Sequence, residues 1–545
     1  MSESATVSFV RPVTAAAGVY APGHLGELTQ YLPFELVDDV LLETKTVQRR
    51  LRDLPSRVGV YFVLALVLFP GLGYARVWQK LTAGLVGLDV PSPSEKALRD
   101  LRRRLGPVPL KRLFELVSGP LGRPHTPGVC YRGMRTVAFD GCSSLRVPDT
   151  ERNRSWLGRI RYRMGFAGYP TVRMMGLVET GTRALIGASV GSAADRDEAT
   201  LARRLLGLLG PSMLVLLDRA FDGAAFLGEL NATGADFLVR GKSSRRPPVL
   251  RQLADGSYLS DLDGLTVRII DAELAVTGAD GSQVSDRYRL ITTLLNHHHH
   301  PAAELVRLYH ERWEIEVAYL ALRHTILDGH LLRSKDRPGL EQEIWALLTV
   351  YQLLRVAMVT AVESRPHTNP DRASFTTALQ AARDQLVAAA GILPDDKPDL
   401  LGVIGRAVLA TLLPPRRPRF SARKVKNPTS RYLNRDDGRP HQPTTITNID
   451  ITIDTPDPDQ GQRPRRHPNR KPRDPNTAPT RRELVTALME ADPNRPWPGR
   501  ELADRLTIKP RNMLTQLAEW TRHGFLTRTN TGTYTLPTRH HSPGP

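Results

Sequence analysis

The chain has 545 residues, and its 75 Lys and Arg against 56 Asp and Glu give a formal net charge of +19 at pH 7. This length indicates about three domains, and 41% hydrophobic residues are enough to build cores. Two cysteines, Cys130 and Cys142, exclude a disulfide scaffold and a four-thiolate zinc site and fit a reducing compartment. The positive charge favours a polyanionic partner, although a bias toward Arg codons would give the same composition.

Membrane and export signals are weak along the sequence. Residues 1–20 lack a basic start followed by a long apolar run. The apolar run Val58–Phe69 has 12 residues, which is too short to span a bilayer and typical of a buried helix. We therefore expect a cytoplasmic bacterial protein with no membrane partner.

The predicted elements begin with helices over residues 1–120, which we expect to form an all-α domain. Residues 130–412 mix strands and helices: a strand from Arg135, two strands within 171–191, a helix at Glu198–Leu209 and a buried strand at Met213–Asp218. This order predicts a mixed α/β layer.

The rest of residues 130–412 continues the mixed pattern. Residues 236–296 form a strand-rich insertion, and helices are predicted over Pro301–Arg333 and Leu340–Val362. Residues 413–480 are rich in Pro and basic side chains, which predicts an extended linker.

A small separate domain is predicted over residues 481–537. Three helices followed by a hairpin give the winged-helix order, in which the third helix commonly enters the major groove. Arg511, Asn512 and Gln516 lie near the start of that third helix and are candidate DNA contacts. A winged helix that binds a protein rather than DNA is the alternative.

Two aspartates are placed where a carboxylate would project from a sheet. Asp140 ends the first predicted strand of the α/β layer, and Asp218 ends the strand that follows the first helix of that layer. Each is weak evidence alone, because Asp at a strand end is usually a turn or cap residue.

A stronger pattern lies in the helix predicted after Pro301. Tyr309, Arg312, Glu316 and Arg323 are spaced by 3, 4 and 7 residues, so at about 100° per residue all four share one helix face. Glu311 and Glu314 point elsewhere. A salt-bridged structural stripe would give the same geometry.

Asp140, Asp218 and Glu316 together would form a cluster of hard oxygen ligands. Such clusters suit Mg²⁺ or Mn²⁺, and two of these ions can activate a hydroxyl and stabilise the leaving oxygen in phosphodiester chemistry. Arginines beside the carboxylates would hold the phosphate. The run His297–His300 invites a zinc site, but we expect a solvated loop because four consecutive His cannot all face one ion.

These residues resemble the DDE transposases of bacterial insertion sequences, specifically the insertion-sequence-four group. That group has a helix with Tyr, two residues, Arg, three residues, Glu, six residues, Lys; Tyr309, Arg312 and Glu316 match, and Arg323 stands where the family usually has Lys. The stretches AFDGCSSLRVPDTERN and LLDRAFDG resemble the segments that carry the family's first and second Asp. The resemblance covers about residues 20–435 and leaves the winged-helix-like tail outside.

The resemblance implies an RNase H-like catalytic fold with two divalent ions, Mg²⁺ or Mn²⁺, at Asp140, Asp218 and Glu316. It implies nicking at the element's ends, followed by attack of the freed 3′-hydroxyl on target DNA, by a homodimer holding paired double-stranded ends in the nucleoid. Tyr309, Arg312 and Arg323 would contact phosphates. A nuclease without strand transfer and a decayed DNA-binding regulator are the alternatives.

The location of the charge supports DNA binding. Residues 414–545 carry a net charge of +12 and residues 95–135 a net charge of +7. Codon bias alone would not confine the excess to two regions, so we expect two DNA-holding surfaces flanking the carboxylates.

Overall fold

A computed structural model of the chain defines two compact units, residues 1–462 and 463–545. It describes residues 23–50, 53–86, 90–159, 161–162, 165–166, 168–195, 197–242, 244–311, 319, 321–389, 401–414, 419–420, 424–426, 432–434, 444–455, 481–492, 495–508, 510–522, 525–530 and 532–536.

The amino-terminal part of the first unit is helical, as the sequence predicts. Its helices are α1 (Phe34–Glu43), α2 (Ser56–Leu68), α3 (Tyr74–Thr82), α4 (Glu95–Leu105) and α5 (Val108–Val117). Helix α2 is apolar on all sides, and nearly every residue in it is therefore buried. Helix α4 is amphipathic, and the Ser94 hydroxyl caps it by accepting from the Ala97 amide at 3.2 Å.

Strands follow in the order that the sequence predicts for a mixed layer. In the first unit they are β1 (Cys130–Tyr131), β2 (Met134–Arg146), β3 (Arg161–Tyr162), β4 (Gly165–Phe166), β5 (Thr171–Glu179), β6 (Leu185–Gly191), β7 (Met213–Leu217), β8 (Asp236–Arg240), β9 (Arg251–Gln252), β10 (Tyr258–Leu262), β11 (Leu265–Gly278), β12 (Gln283–Thr292), β13 (Arg419–Phe420), β14 (Lys424–Lys426), β15 (Tyr432–Asn434) and β16 (Thr444–Ile453).

Twelve of these strands form one mixed sheet within the part of the chain that the structure describes. Its main order is β13-β16-β11-β12-β8-β7-β2-β5-β6, with β1 beside β2, β10 beside β11, and β9 beside β10. Strand β7 runs parallel to both β2 and β8, while the other pairs are antiparallel. The mixed α/β class predicted from the sequence is therefore confirmed.

Further helices cover the two faces of this sheet. They are α6 (Glu151–Leu157), α7 (Glu198–Arg203), α8 (Ala224–Asn231), α9 (Ala302–Glu311), α10 (Arg337–Glu363), α11 (Phe375–Val387) and α12 (Gly402–Ala410). Among the described helices, α10 alone is long and apolar enough to cross a membrane, but 89% of its most apolar window is buried inside the protein. This burial is typical of a core helix.

The sheet separates two hydrophobic cores. Alternate residues of β2 face opposite sides, so Ala138 belongs to one core and Phe139 to the other. The first core also contains α2, α5 and α10, so the amino-terminal helices and the sheet share one core. The second core is closed by α7 and α8.

Two predicted elements differ from the structure. The helix expected over Pro301–Arg333 does not reach its predicted end: α9 is described over Ala302–Glu311, a π-helical segment spans Ala321–Ile326, and residues 327–333 are not helical. The linker expected over residues 413–480 contains β16, which pairs antiparallel with β11. The alternating β-branched residues of TTITNIDITI explain why this segment joins the sheet.

The second unit is a small domain with its own core. It contains α13 (Arg481–Glu490), β17 (Trp497–Pro498), α14 (Gly499–Arg505), α15 (Pro510–Arg522), β18 (Thr527–Asn530) and β19 (Thr533–Thr535). The three strands pair in the order β17-β19-β18. Trp497, Met513 and Tyr534 are buried between the helices and this sheet.

Candidate active site

Asp140 on β2 and Asp218, the residue directly after β7, occupy equivalent positions along two neighbouring parallel strands. The last residue pair of β2 and β7 is Ala138 with Leu216, and each aspartate lies two residues further along its own strand direction. Adjacent strands are about 4.8 Å apart, so the two aspartates lie at one point of the sheet. The sequence predicted that Asp140 ends its strand, and this is wrong. Strand β2 continues past Asp140 along β5 to Arg146.

Local hydrogen bonds orient both carboxylates. Asp218 begins the 3₁₀ turn Arg219–Phe221, and its Oδ1 accepts from the Ala220 amide at 2.7 Å. The Oδ1 of Asp140 accepts from the Gly141 amide at 3.1 Å. One oxygen of each carboxylate is therefore held by the backbone, which limits the rotation of the side chain.

Tyr319 is fixed against the strand that carries Asp140. Its hydroxyl donates to the Asp140 carbonyl oxygen at 2.5 Å, and it lies over Gly176, the residue paired with Asp140 on β5. A Cβ at position 176 would stand 2.6 Å from that hydroxyl, so the close approach requires glycine. Burial, and then the charge of Asp140, raise the pKa of Tyr319 well above its usual value, which keeps the phenol protonated as a donor.

Glu198 is a carboxylate close to Asp218, on the face of the sheet that α7 covers, and sequence reasoning did not find it. Although the residue as a whole is exposed, its Oε1 stands 2.5 Å from where a Cβ on Gly141 would lie. Desolvation of its carboxyl group, and then the charge of Asp218, raise the pKa of Glu198. No local signal in the sequence marks it, because Glu198 has the ordinary place of the first residue in a helix capped by Asp197.

The structure describes only part of the motif that follows Pro301. Arg312 and Glu316 lie outside the described residues. The ring of Tyr309 is 2% exposed and packs edge-on against Tyr288 at 6.0 Å, so in this structure it faces the core rather than solvent. Arg323 is half-buried, and its Nε lies 2.8 Å from the His324 Nε2.

The candidate DNA contacts of the second unit differ in how exposed their side chains are. Asn512 is exposed on α15, whereas Gln516 is half-buried and its Oε1 is buried without a partner among the described residues. The side chain of Arg511 lies outside the described residues, although its backbone belongs to α15. The structure therefore presents Asn512 at the surface of this helix.

Within the described ranges, no group of three or more His, Cys, Asp or Glu side chains is arranged to hold a metal ion. The run His297–His300 forms a turn in which His300 is buried and His298 and His299 are exposed. It therefore gives no support to the zinc alternative.

Comparisons with known proteins agree with this geometry. Residues 132–353 match the family "Transposase DDE domain", and residues 22–115 match "Insertion element 4 transposase N-terminal". "Transposase InsG for insertion sequence element IS4" of Escherichia coli (strain K12) is 27% identical over 421 residues, which are 75% of this chain and 93% of that protein. "Putative transposase y4zB" of Sinorhizobium fredii (strain NBRC 101917 / NGR234) is 28% identical over 137 residues, 23% of this chain and 36% of that protein.

The match over residues 132–353 spans both aspartates and the whole segment from Tyr309 to Arg323, so the protein is a DDE transposase. The match over the amino-terminal helices identifies the family within this class of enzymes. The chain belongs to the insertion-sequence-four (IS4) family of these enzymes. The resemblance stated from the sequence motifs is therefore confirmed.

Members of this family act on DNA and use divalent metal ions, and the residues present fit such an ion. Asp140 and Asp218 provide carboxylate oxygens from adjacent strands, which are the ligands that hard divalent cations prefer. Desolvation, and then the negative charge of Asp218, raise the pKa of Glu198, so two carboxylates repel each other near this point. A cation between the carboxylates would relieve that repulsion.

Proposed function

We propose that this transposase cleaves phosphodiester bonds at the ends of an insertion sequence and joins the freed 3′-hydroxyl to target DNA. The observation that carries the proposal is the pair Asp140 and Asp218 at equivalent positions of parallel strands. Carboxylates side by side on adjacent strands are suited to holding metal ions on a phosphate.

The strand arrangement supports an RNase H-like catalytic domain. Strands β2, β5 and β6 form an antiparallel meander, and β7 and β8 continue the sheet parallel to β2. The strand-rich insertion proposed over residues 236–296 contains β8–β12; of these, β8 pairs with β7, and β9–β12 follow before α9. We assign the catalytic domain to residues 130–412, the amino-terminal end-binding domain to residues 1–120, and a winged-helix domain to residues 481–537.

In this proposal Asp140, Asp218 and Glu316 hold two Mg²⁺ or Mn²⁺ ions. When bound, such ions lower the pKa of the attacking water and neutralise charge on the leaving oxygen. The chain's own contribution is to orient the ligands: Ala220 and Gly141 donate their amides to the two aspartates, and Tyr319 fixes the strand beside them. Tyr319 follows Glu316 by three residues, and that length of chain spans at most about 11 Å.

Basic residues on both sides of the third acid would bind the DNA strand. We assign phosphate contacts to Arg312 and Arg323, because guanidinium groups pair with phosphate oxygens in two-point geometry. Tyr309 belongs to the same motif, and its buried ring suits support of this helix rather than direct contact. The second unit would add contacts through Arg511, Asn512 and Gln516, with two copies of the chain holding paired ends in the bacterial nucleoid.

A strand-cleavage assay tests the proposal. Purified full-length protein is incubated with Mg²⁺ and duplex DNA carrying the inverted repeats that flank the gene, and broken strands are separated on a denaturing gel. Glu316→Gln is expected to abolish cleavage, and Glu314→Gln, a matched change two residues away, to leave it intact. Equal cleavage by Glu316→Gln and wild type would overturn the assignment of the third acid.

The products separate the chemistry from its alternative. A transposase joins the cut 3′ end to an added target plasmid, which yields a branched or inserted product. A nuclease of the same fold would yield broken ends alone, so the joined product is the expected result.

A further inference from the structure

A groove of about 560 Å³ lies between the amino-terminal helices and the segment that leads into α10. Five of its lining residues are cationic: Arg99, Arg102 and Arg103 from α4, and Arg333 and Lys335 from the opposite side. We call these five residues and the space between them the seam groove. We propose that the seam groove binds the phosphodiester backbone of duplex DNA, an inference that rests on the proposed function.

Two of the five cations give the groove a fixed shape. Arg102 is buried, with its Nη2 donating to Glu343 Oε1 at 2.9 Å and its Nε donating to Gln342 Oε1 at 2.9 Å. The Arg333 guanidinium donates to three backbone carbonyl oxygens at 2.6–2.8 Å, those of Phe69, Pro70 and Leu72. These bonds tie α4, the end of α2 and α10 together, so the groove exists before a ligand binds.

The other three cations are placed to contact a ligand. Arg99 and Arg103 are four residues apart on α4, so both point from the same helix face, and both are exposed. Lys335 is exposed on the opposite side. The acid nearest to Arg103 is Asp100 at 3.5 Å, and because both side chains are more than half exposed this pair contributes little and can give way.

Acidic charge in the groove is small. Asp336 is the one acid among the described residues that line it, and its Oδ1 caps α10 by accepting from the Gly339 amide at 3.0 Å. The Glu343 carboxylate beneath the groove is paired with Arg102. Positive charge therefore remains in excess, which favours a polyanion.

The groove suits the sugar-phosphate backbone rather than a base. Tyr74 is the one aromatic residue among the described lining residues, and the Arg102 guanidinium covers its ring at 5.5 Å from the centroid. No free aromatic face is thus offered for stacking in this lining, whereas base binding by single-stranded DNA proteins uses such faces. Cations on two sides of a groove match the phosphates of a strand.

The test compares two charge-matched triple variants of the full-length protein. Arg99→Gln/Arg103→Gln/Lys335→Gln removes the exposed cations of the groove. Arg251→Gln/Arg287→Gln/Arg307→Gln removes three exposed arginines elsewhere in the first unit. Affinity is measured between 50 and 300 mM salt for a duplex carrying the terminal repeats and for an unrelated duplex of equal length, and thermal unfolding checks that each variant folds.

We expect the groove variant to lower the slope of log K against log salt by about 2–3, since each phosphate that is no longer neutralised reduces the slope by about 0.9. The control should change it by less than about 1. If the groove variant has a lower salt slope on both duplexes, the groove binds any DNA backbone, including that of target DNA. If the slope is lower on the repeat duplex alone, the groove binds the transposon end.

Three results are distinguishable from these. If the wild type binds neither duplex, the proposed function fails. If the wild type binds and the groove variant keeps its slope, the groove inference is overturned and the proposed function stands. An equal decrease of the salt slope in both triple variants would show an effect of net charge, which also overturns the groove as a site. The single variant Lys335→Gln repeats the test with a minimal change.

Discussion

The Tyr319 hydroxyl donates a 2.5 Å hydrogen bond to the Asp140 carbonyl oxygen and so links the segment after the third acid to the strand that carries the first. The phenol is buried, and this burial raises its pKa well above the usual value, so it acts as a permanent donor. The bond is made to the backbone, and it therefore sets the position of Asp140 without occupying its carboxylate.

Tyr319→Phe removes this bond while it keeps the ring. We expect DNA cleavage to fall about 10-fold to 100-fold, as for other residues that orient metal ligands, and the free energy of unfolding to fall by about 1–2 kcal/mol. Tyr61→Phe is the matched control, because the Tyr61 hydroxyl donates to the Leu32 carbonyl at 2.7 Å in the helical region. It should lose similar stability with little change in cleavage; equal activity losses in both variants would contradict a positioning role.

Gly141→Ala tests the place of Glu198. The new Cβ would stand 2.5 Å from Glu198 Oε1, so the carboxyl group has to leave its present position. We expect the Mg²⁺ concentration for half-maximal cleavage to rise about tenfold in this variant and in Glu198→Gln, since the first displaces and the second removes the carboxylate of Glu198. Glu229→Gln, on the surface of α8, is the control. An unchanged Mg²⁺ requirement in Glu198→Gln would exclude Glu198 from the site.

Buried His24 predicts a loss of stability in mild acid. Burial lowers its pKa from 6.5 to about 4, and the neutral ring bonds the Leu81 carbonyl at 2.7 Å and the Gly26 amide at 3.1 Å. As the pH falls, His24 is therefore protonated in the unfolded chain before it is protonated in the folded protein. The contribution of His24 to the free energy of unfolding is present above pH 6.5 and is lost as the pH falls toward 4.

The loss amounts to roughly 3 kcal/mol over that pH range. It is measured as the change in urea midpoint between pH 7 and pH 4.5. His24→Gln should be less stable than wild type at pH 7 and should show a smaller change with pH. A change with pH equal to that of wild type would mean that other groups cause the acid sensitivity.

Removal of the second unit tests the role of the tail. Residues 463–545 contain 16 Lys and Arg against 7 Asp and Glu. Truncation after residue 462 should leave the first unit folded and reduce the salt slope of DNA binding by about 0.9 for each phosphate that the tail neutralises. An unchanged slope would favour the protein-binding alternative for this unit. Truncation at residue 414 is expected to destabilise the sheet, because it removes β16.

Local patterns in the sequence predicted much of the fold. Apolar runs bounded by turns located β2, β7 and the β5–β6 hairpin, and the same runs placed Asp140 and Asp218 on neighbouring strands. The approach of Glu198 to Gly141 could not be predicted, because it depends on how α7 packs across the sheet. Strand β16 was obscured because its alternation lies within a segment dominated by Pro and charge.

The buried pair of Arg102 and Glu343 joins two segments that lie 241 residues apart in the chain. Removal of either partner would leave a buried charge without compensation, which costs about 3–5 kcal/mol. The amino-terminal helices are therefore not an exchangeable module. A chimaera that takes these helices from a relative, in order to recognise different DNA ends, has to take α10 from the same source.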